Sequence, residues 1–165
     1  MDGTIISTEH LWKQVLATFL KSYDINSNTQ ENQLFFQSIS STGLEQSTQK
    51  IIKKFGIPNT IDKHVAKQVE IFKNLTQTKG TTFINGFQKF HQHLQNHKIP
   101  TSLATNANLK TLNFIDNKIN LENFFGENMY CLDHVNHKAK PNPTLFLHAA
   151  KKLNVKPNEC IVFED

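Results

Sequence analysis

Between residues 9 and 80 this chain repeats apolar residues at helical spacing with no strand-like run, and from Thr81 onward short apolar runs alternate with helices. That change of period restricts the fold more than any other feature. In the first stretch Leu11, Trp12, Val15, Leu16, Phe19, Leu20 and Tyr23 share a helical face, with Thr8 as the expected cap. Further helices are expected over Gln30–Gln37, over Leu44–Phe55, where Gly56 and Pro58 stop it, and from Thr60 to Gly80, with Ile61, Val65, Val69, Phe72 and Leu75 inward. A run of amphipathic helices without a strand predicts a small bundle. After Thr81 the expected order is a helix holding Phe87, Phe90 and Leu94, a strand over Ile99–Thr105, and a helix with Leu109, Leu112 and Ile115. A strand over Met129–Leu132 follows, then a helix opened by Asn142 and Pro143 that buries Leu145, Phe146, Ala149, Ala150 and Leu153, and a last buried strand over Cys160–Phe163. Alternation of this kind predicts an α/β fold with a parallel sheet. Residues 1–8 and 81–165 are expected to form it, with 9–80 inserted as an all-helical domain.

Composition fits one ordinary core, or one core with a small satellite: 165 residues, 38% hydrophobic, with thirteen phenylalanines. The net charge of +4 comes from lysine alone, since the chain contains no arginine, and the lysines are scattered along helices apart from the run Lys50–Lys54. A nucleic-acid reader concentrates its basic residues and uses arginine for bidentate contacts, so no nucleic-acid partner is expected. Cys131 and Cys160 both fall in apolar runs and are expected to be small core residues, which fits a reducing compartment and a cytoplasmic location. No run approaches the length of a membrane span and no apolar leader follows Met1, so no membrane partner is expected.

In an open parallel sheet, ligands bind beyond the carboxyl ends of the strands. Thr105 and Asn106 follow one strand, Glu164 and Asp165 follow another, and Lys140 stands in a loop that leads into a helix. The opening Asp2-Gly3-Thr4 is the kind of turn that follows a buried strand, although here the chain begins at the turn. A hydroxyl, a helix amino terminus, a lysine and paired acids together suit a phosphate and a divalent cation.

These residues, in this order, resemble the haloacid dehalogenase-like hydrolase superfamily, and within it the group of phosphoglycolate phosphatases and beta-phosphoglucomutase. Met1-Asp2-Gly3-Thr4 resembles all but the first residue of the motif Asp-x-Asp-Gly-Thr, and Leu103-Ala104-Thr105-Asn106 the second motif. Lys140-Pro141-Asn142-Pro143 with Leu145-Phe146 resembles the third, and Ile161-Val162-Phe163-Glu164-Asp165 the fourth. The resemblance implies a Rossmann-like core with a helical cap, acting on a small-molecule phosphate ester as a monomer. It implies a magnesium-dependent phosphatase that passes through an aspartyl-phosphate. Asp2 would be the general acid and base, Thr105, Asn106 and Lys140 would bind the phosphoryl oxygens, and the main-chain oxygen of Asp2 and the carboxylates of Glu164 and Asp165, with the motif's first aspartate, would hold Mg2+. A sugar-phosphate mutase uses the same residues, and a non-catalytic module of the same fold is the further alternative. The family's nucleophile stands two positions before Asp2, where this sequence has no residue. The expectation is a chain cut at both ends, because the other motif positions persist, and residues 1–165 alone are expected to lack the covalent step.

Other residues carry weaker signals. His93 and His97 lie four apart on an expected helix, as a zinc pair could, but no Glu or Cys accompanies them and a solvated face is the expectation. His134 and His137 sit in the loop before Lys140, within reach of a substrate or simply as polar loop residues. Ser7 stands where relatives often carry aspartate. Ser41 to Glu45 falls where relatives carry a substrate-reading loop, or it is a helix start capped by Thr42.

Overall fold

The computed structural model of the protein describes residues 1–40 and 42–165. The expectations for Ser41 therefore lie outside the described residues. The chain divides into two compact units, Glu9–Gly80 and Met1–Thr8 with Thr81–Asp165.

The helical unit holds α1 (Glu9–Lys21), α2 (Gln30–Ile39), α3 (Leu44–Phe55) and α4 (Ile61–Lys79). Helix α3 ends where Gly56 takes the left-handed conformation and returns its N–H to the Ile52 carbonyl, a geometry that favours glycine. Gly43 rather than Thr42 occupies its N-cap position, and the Thr42 hydroxyl donates back to Ile39. Phe19, Leu20, Ile39, Ile51 and Ile57 form the core, and Trp12 stacks on Phe72 with ring centroids 4.3 Å apart. The buried stripe of α4 is His64, Gln68, Phe72 and Thr76, whereas Ile61, Val65, Val69 and Leu75 are only half-buried. Its polar members are buried because each is paired. Gln68 donates to the Thr48 hydroxyl at 2.8 Å, Thr76 donates to the Phe72 carbonyl, and the His64 ring sits 2.7 Å from the Pro58 carbonyl and 3.2 Å from the Tyr23 hydroxyl.

The second unit follows the α/β order, with α5 (Phe87–Asn96), β1 (Leu103–Ala104), α6 (Leu109–Ile119), α7 (Glu122–Phe125), β2 (Met129–Tyr130) and α8 (Thr144–Lys152). Strands β1 and β2 pair in parallel, Leu103 opposite Met129 and Ala104 opposite Tyr130. The first segment joins this unit through an antiparallel bridge between Ile6 and Phe83, where Ser7 donates to Thr82 and Ile84 donates to Ile5. Tyr130, Val135, Leu145 and Ala149 pack around Ala104, and His91 of α5 is buried among the rings of Phe87, Phe124 and Phe125.

Several expectations change here. The strand over Ile99–Thr105 shortens to two residues, because Lys98 is left-handed and Ile99 is exposed, so pairing begins only where Leu103 is buried against β2. The chain leaves β2 for a 3-10 turn at Leu132–Val135. Asn142 does not cap α8: its Oδ1 accepts from the Thr144 N–H, but Pro143 holds the N-cap position without a side-chain cap bond, and the helix starts a residue later than expected. Cys160–Phe163 is not a buried strand: the segment pairs with no strand among the described residues and leaves Ile161 82% and Phe163 60% exposed. Cys160 is accordingly exposed rather than a core residue, whereas Cys131 is buried. Among the described residues no helix is long and apolar enough to cross a membrane.

Candidate active site

Thr105 closes β1. Its N–H donates to the Tyr130 carbonyl at 2.9 Å, which continues the ladder, and its hydroxyl accepts from the Ala107 N–H at 3.2 Å, which turns the chain away from the sheet. The residue is buried. Asn106, next along, reaches the loop that carries Lys140: the Lys140 N–H donates to Asn106 Oδ1 at 2.8 Å, and Asn106 Nδ2 donates to the Lys140 carbonyl at 3.4 Å. The Lys140 ammonium pairs with the Glu164 carboxylate and stands 5.4 Å from the centre of the Phe146 ring. The peptide bond between Lys140 and Pro141 is cis.

The opening turn supplies the other half. Gly3 is left-handed, with φ +72, and its N–H donates to Ile6 while Ile5 and Ile6 donate to Met1. This fold-back brings the buried Thr8 to Asp2, and the Thr8 hydroxyl donates to Asp2 Oδ1. Thr8, expected as a helix cap, thus also meets Asp2. Across the same turn the Thr4 hydroxyl donates to Asp165 Oδ1 at 3.1 Å, and the Asp165 carboxylate lies so close to Gly3 that a Cβ there would meet Oδ2 at 2.3 Å.

Of the residues expected at the site, Lys140 and Glu164 meet directly, Asp165 meets the turn that follows Asp2, and Asn106 meets the main chain of Lys140. The Thr105 side chain makes its bond within its own turn. Sequence reasoning missed Thr4 and Thr8 as members of the acidic corner, and Phe146 beneath the lysine. A hydroxyl two or six residues after Asp2 is a usable signal only once the left-handed turn at Gly3 is known. Burial holds the Met1 amine below its ordinary value, with the carboxylates of Asp2, Glu164 and Asp165 opposing that fall and Lys140 adding to it. Among the described residues no three carboxylate, imidazole or thiol groups form a ready-made ligand cage. Each acid faces another group instead: Asp2 faces Thr8, Glu164 faces Lys140 and Asp165 faces Thr4.

His93 of α5 and His97, the residue that caps its carboxyl end, pack ring to ring at 4.3 Å, and His97 Nδ1 lies 2.8 Å from the His93 carbonyl. His134 turns toward Cys131, its Nδ1 accepting from the Cys131 N–H at 3.1 Å. His137 is exposed and left-handed.

The chain is similar to the bifunctional riboflavin kinase/FMN phosphatase of Arabidopsis thaliana, 27% identical over 168 residues that cover 100% of this chain and 42% of that protein. It is also similar to the chloroplastic 5-amino-6-(5-phospho-D-ribitylamino)uracil phosphatase of the same plant, 30% identical over 121 residues that cover 72% of this chain and 31% of that one. It therefore spans less than half the length of either relative. In fold it is similar to a HAD hydrolase of family IA, variant 3, from Entamoeba histolytica, with a TM-score of 0.85 at 21% identity over 100% of this chain and 73% of that one. The sequence matches the haloacid dehalogenase-like hydrolases across residues 1–165, and it is to this family that the chain belongs.

Proposed function

We propose that this chain forms the core and helical cap of a magnesium-dependent phosphatase that hydrolyses a small phosphorylated metabolite through an aspartyl-phosphate. One observation carries the reading: the Asp165 carboxylate, at the far end of the sequence, hydrogen-bonds to Thr4 beside the Asp2-Gly3 turn. Two motifs 161 residues apart thereby share one corner, as a phosphoryl-transfer site requires.

In this reading Asp2, oriented by the Thr8 hydroxyl, hands a proton to the oxygen of the departing alcohol and later takes one from water. The Lys140 ammonium and the Thr105 hydroxyl hold phosphoryl oxygens, where position and charge supply most of the rate. Glu164 keeps the lysine facing the corner. Magnesium suits the donor chemistry, since the main-chain oxygen of Asp2 and the carboxylates of Glu164 and Asp165 are hard oxygen donors, and Asp165 lies against the turn that follows Asp2. When bound, it offsets the charge of the phosphoryl oxygens. Attack on phosphorus belongs to the carboxylate that the family motif sets two residues ahead of Asp2, a position this sequence does not contain.

The test compares residues 1–165 with the same residues preceded by an apolar strand that ends in aspartate just before Met1. Phosphate release from p-nitrophenyl phosphate or phosphoglycolate should be at background in the first and magnesium-dependent in the second. Asp2→Asn in the second should remove most of it. A folded, extended protein that releases no phosphate from a panel of small phosphate esters refutes the reading, and conversion of a sugar phosphate into its isomer replaces it with a mutase.

A further inference from the structure

The sequence marks Asn106 as a phosphate ligand, but its carboxamide faces the main chain of Lys140. Oδ1 accepts the Lys140 N–H at 2.8 Å and Nδ2 donates to the Lys140 carbonyl at 3.4 Å. A carboxamide that accepts from and donates to the same residue reproduces the pair of bonds that a neighbouring strand would make. Asn106 directly follows Thr105, whose N–H still bonds to Tyr130, so this side chain extends the ladder of β1 sideways onto a loop.

That loop needs an outside partner. Asn136 and His137 enter it in the left-handed conformation, and prolines at 141 and 143 contribute no N–H. The main-chain bonds nearest Lys140, from Lys138 to Val135 and from Asn142 to Ala139, flank it without including it. The Lys140 ammonium is aimed at the Glu164 carboxylate, and its direction depends on where its Cα is held. We propose that Asn106 is a positioning residue that acts through Lys140: its carboxamide fixes the lysine backbone so that the ammonium stands ready for a phosphoryl oxygen. This rests on the reading of Lys140 as a phosphate-binding group given above.

Two measurements on residues 1–165 test it. The first is hydrogen exchange of the Lys140 amide by NMR, which Asn106→Ala should speed at least tenfold and Asn106→Asp, which keeps the acceptor, should leave within about threefold. The second is the affinity for inorganic phosphate in the parent protein, Asn106→Ala, Lys140→Met and the double variant. Asn106→Ala should weaken binding about five- to tenfold in the parent and less than twofold in the Lys140→Met background, because groups that act as a unit are non-additive. An equal loss in both backgrounds makes Asn106 a direct phosphate ligand and overturns the proposal. Unchanged Lys140 exchange in Asn106→Ala overturns it as well. If Asn106→Ala does not fold, loss of Lys140 protection in Asn106→Asp overturns it and retention supports it. If the parent binds no phosphate at millimolar concentration, the functional reading of the site fails, and the exchange comparison still decides whether Asn106 holds the loop.

Discussion

Gly3→Ala tests the acidic corner most directly, because it presses on one backbone angle and one carboxylate together. At φ +72 an alanine pays the left-handed penalty of an L-residue, about 1–2 kcal/mol. The new methyl would stand 2.3 Å from Asp165 Oδ2 and 2.6 Å from its Cγ, well inside contact distance. A carboxylate side chain gives way more cheaply than backbone, so Asp165 should swing aside and break its bond from Thr4, at a cost of about 0.5 kcal/mol for an exposed pair. The sum, roughly 1.5–2.5 kcal/mol, lowers the Tm of a chain this size by about 3–10 °C. Displacing Asp165 should also weaken magnesium binding at least tenfold by calorimetry, since the acid is one of the expected ligands. Asp165→Ala in the same chain removes the obstacle, so the double variant should be no less stable than Gly3→Ala alone. A Gly3→Ala protein with unchanged Tm and unchanged magnesium affinity would show that neither the left-handed turn nor the close approach exists in solution.

Further outcomes concern other groups. Thr8→Val, which keeps shape and removes the hydroxyl, should lower kcat of the extended protein by about 10–100-fold with KM little changed, read from steady-state kinetics, because a hydrogen bond to an ionised group is worth about 1.5–3 kcal/mol; a rise in KM alone refutes the role. His91 is held below its ordinary value by burial, so the unfolded chain binds the proton first and stability should fall as pH drops from about 6.5 toward the folded-state value. Urea titrations of His91→Gln between pH 7 and pH 5 should show a shallower decline, the remainder coming in part from His148, which burial also depresses. Alkylation followed by mass spectrometry should modify exposed Cys160 in the native protein and buried Cys131, whose thiol burial pushes up, only after unfolding.

Where structure depends on neighbours in sequence, the chain could be read directly. Leu44–Phe55 is legible to the residue because its stop is local, a left-handed glycine followed shortly by a proline. The buried stripe of α4 is not, since Gln68 and His64 go inside only because Thr48, Tyr23 and Pro58 offer partners from other segments. The run Cys160–Phe163 has the composition of a buried strand, yet composition names no pairing partner, and β1 pairs with β2. At the site the residue types were legible and their connections were not. Thr8 reaches Asp2 because Gly3 folds the chain back, and Asn106 reaches Lys140 across 34 positions. Both contacts are made by side chains whose own local grammar describes a cap and a turn.

The stack of Trp12 on Phe72 gives the helical unit its own optical signal. Trp12 is the chain's one tryptophan, and both rings belong to Glu9–Gly80. Emission excited at the red edge of the indole band therefore reports on that unit alone, while Tyr130 and the phenylalanines around His91 lie in the other. Fluorescence follows the helical unit and far-ultraviolet dichroism the helices of both units, so the two signals through one denaturation compare the units' melting without any label. Superposed curves would mean that the units unfold as one, and displaced curves would give each its own midpoint.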